Sequence, residues 1–137
     1  MVAIGRRVLV VEDEFLAALT TVDFLESIGC EVVGPAARLA PALEFARSES
    51  LDAAVLDINI AGEMIWPVAE QLRYRGVPCL FLSAYPGENI VPATFAAAPY
   101  LPKPLEPDHL ARHLAKMWRA SDAPVAGHAA VREIIKP

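Results

Sequence analysis

Val8-Leu9-Val10-Val11-Glu12-Asp13-Glu14 is a run of four apolar residues cut off by three acids. A short continuous apolar run fits a strand buried on both faces, and such strands belong to parallel sheets. The abrupt charge marks the strand's carboxyl end. The pattern returns three times. Ala53-Ala54-Val55-Leu56 runs into Asp57, Leu80-Phe81-Leu82 into Ser83, and Tyr100-Leu101-Pro102 into Lys103. In an open parallel sheet the carboxyl ends of the strands share one edge, and ligands bind there. Three carboxylates, a hydroxyl and an ammonium, scattered over ninety residues, can therefore meet.

Helical patterns fill the gaps, so the chain alternates strand and helix as α/β folds with a parallel sheet do. Strands are expected at Arg7–Val11, Cys30–Val33, Ala53–Ile58, Val77–Leu82 and Tyr100–Leu101. Gly34-Pro35 should break the second. In the first helix, Phe15–Ile28, residues Phe15, Ala18, Leu19, Val22 and Leu25 recur at 3–4 spacing, and Gly29 stops it. Further helices are expected at Pro41–Ser48, at Met64–Tyr74 with Ile65, Val68 and Leu72 on one face, and at Pro107–Arg119 with Leu110, Leu114, Met117 and Trp118 facing inward. The fourth helix should be short or irregular. Pro86, Gly87 and Pro92 crowd its segment, and a proline inside a helix costs about 3 kcal/mol.

The bulk properties narrow the function. The chain has 137 residues, the size of one domain, and 55% are hydrophobic. We assign that domain to residues 5–120 and a tail, too short for an output domain, to 121–137. Val131, Ile134 and Ile135 give the tail one or two amphipathic turns. The net charge is −5, and the densest basic pair is Arg6-Arg7, which argues against nucleic-acid binding. The longest charge-free stretch, Asn89–Pro102, is too short and too rich in proline to span a membrane. The apolar run after Arg6-Arg7 is too short for a signal peptide. A cytoplasmic protein is expected.

Charge explains the site. Glu12, Asp13 and Asp57 against Lys103 leave it near −2, so the carboxylates call for a cation. Mg²⁺ suits oxygen ligands and keeps one or two carboxylates, waters and a phosphate. Asp57 would be the nucleophile and accept a phosphoryl group as an acyl phosphate. Lys103 would pair with Asp57 at rest and with a phosphoryl oxygen afterwards. Ser83 would donate its hydroxyl to another such oxygen. Asp13 would bind Mg²⁺ directly, and Glu12, one methylene longer, through water. Taken singly each residue has a plainer reading: a helix N-terminal charge, a turn serine, a surface lysine. Their joint placement at four strand ends favours the site.

Over residues 5 to about 120 the chain resembles the receiver domains of two-component response regulators. The resemblance rests on Val8–Glu14, Val55-Leu56-Asp57-Ile58-Asn59, Leu82-Ser83-Ala84-Tyr85 and Tyr100-Leu101-Pro102-Lys103-Pro104. It implies a flavodoxin-like (βα)5 doubly wound parallel sheet of order 2-1-3-4-5. It also implies phosphotransfer to Asp57 from a histidine kinase or histidine phosphotransfer protein, with Mg²⁺ held by Asp13, Asp57 and the Asn59 backbone carbonyl. Ser83 and Tyr100 would form the switch, and Lys103-Pro104 is the place to look for a cis peptide. Output would come from a protein partner on the face of the fourth helix, fifth strand and fifth helix, where Phe95, Tyr100, His109 and Arg112 could make contact. The resemblance implies a phosphoacceptor signalling protein rather than an enzyme acting on other substrates. A phosphate sink or shuttle, a phosphorylation-independent binding module and a homodimer stay open. With that sheet order Cys30 and Cys79 lie three strands apart, about 14 Å, too far for a disulfide.

The departures from the family concern lifetime. Asn59 is followed by Ile60-Ala61-Gly62-Glu63 rather than Met-Pro, and Asn59 has no carboxylate to direct water. Tyr85, two places after Ser83, would crowd a phosphoryl group. Leu105 stands where Phe is frequent. Phe81-Leu82-Ser83-Ala84-Tyr85 is partly similar to the Phe-Ala-Thr-Gly-Tyr-type sequence of a stand-alone alphaproteobacterial subgroup with an atypical fourth helix.

Overall fold

A computed structural model gives the architecture for residues 3–84 and 91–122. Strands β1 (Arg7–Val11), β2 (Glu31–Ala36), β3 (Ala53–Asp57), β6 (Cys79–Ser83) and β7 (Tyr100–Pro102) form a parallel sheet in the order β2-β1-β3-β6-β7. This is the expected 2-1-3-4-5 order, since β6 and β7 are its fourth and fifth strands. The remaining strands, β4 (Asn59–Ile60) and β5 (Glu63–Met64), pair only with each other as an antiparallel hairpin.

Alternation along the strands sends side chains to two cores. Leu9, Val11, Leu56 and Phe81 face α2 (Leu39–Ser48) and α3 (Trp66–Tyr74), where Ala42, Ala46, Val68 and Leu72 are buried. Val8, Val10, Val55 and Leu80 face the other way and meet Leu25 of α1 (Phe15–Ser27) and Leu110, Leu114 and Trp118 of α4 (Pro107–Asp122). Both faces of the sheet are covered, which is why its strands are apolar throughout rather than alternating.

Four details differ from the sequence reading. First, β2 continues through Gly34-Pro35 instead of stopping. It is an edge strand, where proline's missing N–H costs no ladder bond to a second neighbour. Gly34 takes φ +98°, the register against β1 shifts between Leu9 and Val11, and the Gly34–Pro35 peptide is cis. Second, the hairpin fills what seemed the start of the third helix, which delays α3 to Trp66. Third, α1 splits its apolar residues. Ala18 and Leu25 are buried with Thr21, whereas Phe15, Leu16 and Leu19 face out. The small Ala18 and Thr21 form the contact face in the upper turns of this helix. Fourth, α4 runs to Asp122, three residues past the expected helix end at Arg119.

In the segment of the expected fourth helix, residues 85–90 lie outside the described residues. The described remainder holds one 3-10 turn, Ala93–Phe95. Phe95 is not a surface contact residue: it is buried against Trp66 and Phe81, with ring centroids 5.7 Å apart in each pair. No helix among the described residues is long and apolar enough to cross a membrane.

Both cysteines are free. Burial pushes the Cys30 thiol up to about 11 and the Cys79 thiol up to about 12. Only the thiolate attacks a disulfide reagent. Native protein at pH 8 is expected to react negligibly with Ellman's reagent, and urea-unfolded protein to release two equivalents at once. The raised values also make the thiols favour the folded state below pH 9, a contribution lost as pH rises from 9 to 12.

An added Cβ at Gly34 would lie 2.9 Å from the Val10 carbonyl oxygen and 2.9 Å from the Ala36 nitrogen. Both are backbone atoms that cannot move aside. Gly34→Ala should therefore lower unfolding free energy by about 1–3 kcal/mol, read as a lower urea midpoint with unchanged slope.

Candidate functional site

Four strand ends build the site, as the sheet order requires. Asp57 closes β3, with Glu12 and Asp13 just past β1 on one side and Ser83 ending β6 on the other. Lys103 follows β7, and its backbone N–H donates to the Ser83 carbonyl at 3.0 Å, which sets its distance from the centre. The Lys103–Pro104 peptide is cis, at the position expected.

The Lys103 ammonium lies 2.8 Å from Asp57 Oδ2 and 3.0 and 3.2 Å from Glu12 Oε1 and Oε2. Glu12 is 2% exposed and Asp57 6%. Lys103 thus bridges two buried carboxylates. The Lys103–Glu12 contact was not anticipated from sequence, which paired Lys103 with Asp57 alone. Burial raises the Glu12 carboxyl above its usual range, and the Lys103 and Glu14 hydrogen bonds oppose this only in part. Desolvation pulls Lys103 down, but its bonds to Asp57 and Glu12 outweigh it and the net shift is upward. Each of these charges has a partner of opposite sign within hydrogen-bond reach, which offsets the cost of burying it.

The acids divide their work. Glu14 caps α1, accepting from Ala17 N at 2.7 Å and Leu16 N at 3.2 Å. Glu12 Oε2 accepts from Glu14 N at 3.1 Å. Asp13 is exposed and its Oδ2 accepts from Ala61 N at 3.0 Å. Ala61 and Gly62 are the two turn residues of the β4–β5 hairpin, both with positive φ, as tight hairpin turns require. Asn59 Oδ1 accepts from Gly62 N at 2.9 Å, so this side chain braces the turn. The unexpected Ile60-Ala61-Gly62-Glu63 stretch is therefore a clamp on Asp13. Its sequence signal is Ala61-Gly62 flanked by short β-compatible pairs.

Carboxylate oxygens of Glu12, Asp13 and Asp57 lie within 4.8 Å of one another. Glu12 Oε1 is buried and, apart from its ionic contact with Lys103, receives no hydrogen bond. An all-oxygen donor set with a spare buried lone pair fits a hard divalent cation such as Mg²⁺.

Ser83 is buried at the same edge. Tyr100 is half-buried. Its ring stacks on Phe81 with centroids 5.1 Å apart, and its hydroxyl donates to the Phe95 carbonyl at 2.7 Å. His109 is partly exposed and Arg112 exposed on α4. Tyr85 lies outside the described residues.

Comparison with known proteins agrees with this geometry. The model of the response regulator receiver domain matches residues 8–115. The solution structure of SdrG from Sphingomonas melonis Fr1 is 37% identical, with a TM-score of 0.72 over 85% of this chain and 98% of that one. The BeF3-activated conformation of SdrG, given as from Pseudomonas melonis Fr1, is 36% identical, with a TM-score of 0.68 over 82% and 95%. The receiver domain of sensor histidine kinase PA1611 from Pseudomonas aeruginosa PAO1, with a magnesium ion in its active-site cleft, shares the fold: 24% identity and a TM-score of 0.73 over 83% and 98%. No curated protein sequence matches the chain.

Replacing Lys103 leaves two buried carboxylates facing each other. Lys103→Met should cost about 2–3 kcal/mol, below the range for fully buried pairs because the side chain is 20% exposed. Lys103→Met with Glu12→Gln should recover part of that loss, read from urea melts of the double-mutant cycle.

Proposed function

The chain belongs to the response regulator receiver domain family, and from that premise we propose that it accepts a phosphoryl group on Asp57, with Mg²⁺ as cofactor. The carrying observation is the buried Asp57 carboxylate, 2.8 Å from Lys103 and clustered with Glu12 and Asp13. The donor would be a phosphohistidine on a kinase or phosphotransfer protein. An Asp57 oxygen forms a bond to phosphorus, the phosphorus–nitrogen bond breaks, and the imidazole leaves with its electron pair and takes up a proton.

Asp13, Asp57 and the Asn59 carbonyl would hold Mg²⁺, with Glu12 acting through water. When bound, the ion neutralises charge on the phosphoryl oxygens. Lys103 is already placed to follow Asp57's charge onto a phosphoryl oxygen, and Ser83 would donate to another. Tyr100 would complete the switch by leaving its bond to Phe95 and turning inward as Ser83 moves. Output would follow from a protein partner at the face of β7, α4 and the segment before β7, with Tyr100 and the exposed Arg112 in contact. This reading places the protein in the cytoplasm, with residues 5–120 as the functional domain.

A phosphate sink is the second reading. It is disfavoured by Asn59, whose side-chain oxygen is committed to Gly62 N and offers no carboxylate to a hydrolytic water. Tyr85 would slow hydrolysis further by crowding.

Incubation with acetyl phosphate and Mg²⁺ should add one phosphoryl mass by intact mass spectrometry. Asp57→Asn and chelation with EDTA should each abolish the gain. A signal lasting many minutes favours the switch, and loss within seconds favours the sink. No gain in the wild type, with beryllofluoride also failing to bind, would leave a phosphorylation-independent binding module.

A further inference from the structure

The β4–β5 hairpin grips Asp13 from a fixed base. Ile60 and Ile65 are fully buried, and Ile65 N donates to the Ile58 carbonyl at 2.9 Å. Its tip is strained. Ala61, at φ +51°, is the only non-glycine residue with positive φ among the described residues. It is also the residue whose N–H donates to Asp13 Oδ2 at 3.0 Å. Strain of this kind persists only where the surrounding structure holds it in place. The other two acids are tied in a similar way. Asp57 Oδ2 is given to Lys103 at 2.8 Å, with a long 3.4 Å approach from Asn59 N to Oδ1, and Glu12 Oε2 accepts from Glu14 N at 3.1 Å. Each carboxylate thus has at least one oxygen held by the protein. Asp13 is the exposed one of the three, so without Ala61 its carboxylate would be free to turn.

We propose that the Ala61-Gly62 turn sets the ion selectivity of the site, favouring Mg²⁺ over Ca²⁺ by holding Asp13 to one free oxygen. The inference rests on the reading of this site as a Mg²⁺-dependent phosphoacceptor. Mg²⁺ is small, demands near-octahedral geometry and keeps several waters, so single oxygens from one or two acids satisfy it. Ca²⁺ is larger, takes about six to eight oxygens and often chelates a carboxylate through both. A chelating Asp13 would have to share Oδ2 between the cation and the Ala61 N–H, whose positive end faces the same oxygen. The turn resists yielding because Gly62 N is bound to Asn59 Oδ1 at 2.9 Å and the hairpin base is buried. Discrimination then comes from rigidity and ligand number, since the charge offered to the two ions is the same. Ala61 and Gly62 are positioning residues: they touch Asp13 and Asn59, not the ion.

The test is calorimetric titration of the full chain with MgCl2 and, separately, with CaCl2, in the absence of any phosphodonor. Gly62→Pro removes the N–H that Asn59 braces and cannot adopt φ +90°, so it opens the turn while every carboxylate stays in place. The wild type should bind Mg²⁺ more tightly than Ca²⁺, and Gly62→Pro should cut that preference about tenfold. Gly62→Ala, whose Cβ meets nothing within 4 Å, strains the turn without a clash and should shift the ratio the same way by less. It decides the matter if Gly62→Pro fails to fold by circular dichroism. Ala61→Gly keeps the N–H and relieves the strain, so it should keep the wild-type ratio. A ratio unchanged in the Gly62 variants, even through an equal loss for both ions, would overturn the inference and leave the proposed function standing. So would a wild type that binds Ca²⁺ as tightly as Mg²⁺. A wild type that binds neither ion would overturn both.

Discussion

One ammonium group joins two of the site's three carboxylates and offsets part of their charge. Lys103 reaches from beyond the last strand to two carboxylates on β3 and just past β1, binding the sheet's carboxyl edge together across β6. Nothing else among the described residues brings a cation to Glu12 and Asp57. Their burial is tolerable only because Lys103 shares it, since a lone buried charge costs several kcal/mol. The Lys103 backbone bond to Ser83 makes the tether stiff. Lys103 thereby ties Asp57 to β6 and β7, the strands that carry Ser83 and Tyr100.

The acidic side of the site is divided between tasks of different rigidity. Glu12 is buried and fixed from two directions. Asp13 is exposed, with one oxygen given to the hairpin and the other left over. Such a pair suits an exchangeable ion: one carboxylate defines the place and the other completes it. The hairpin couples this to Asn59, because the two N–H groups of one turn donate to Asp13 and to Asn59.

Much of this was legible in the sequence because strands buried on both faces leave an unmistakable trace. The apolar runs before Glu12, Asp57, Ser83 and Lys103 mark strand and edge together, and the crossover topology does the rest. Helix faces were less legible. The spacing of Phe15, Leu19 and Leu25 announces a helix, but it cannot say which stripe turns inward when Ala18 and Thr21 are also available. Phe95 and Tyr100 were both expected at the docking face, Tyr100 also as the switch residue, and only packing against Trp66 and Phe81 separates the buried ring from the half-buried one. Gly34-Pro35 reads as a break because proline usually ends a strand, and its edge position removes the reason. The Lys103–Glu12 pair depends on side-chain reach, which spacing does not encode.

Pro35 has a consequence beyond its own strand. A parallel sheet with an open margin is a template on which another chain can lay a strand, and β2 is such a margin. Here the margin carries a residue with no N–H to offer, a neighbouring glycine in a conformation foreign to strands, and a shifted register. An incoming strand would find its ladder interrupted midway. The same irregularity that hides the second half of β2 from a reader of the sequence also makes this margin a poor template for another chain.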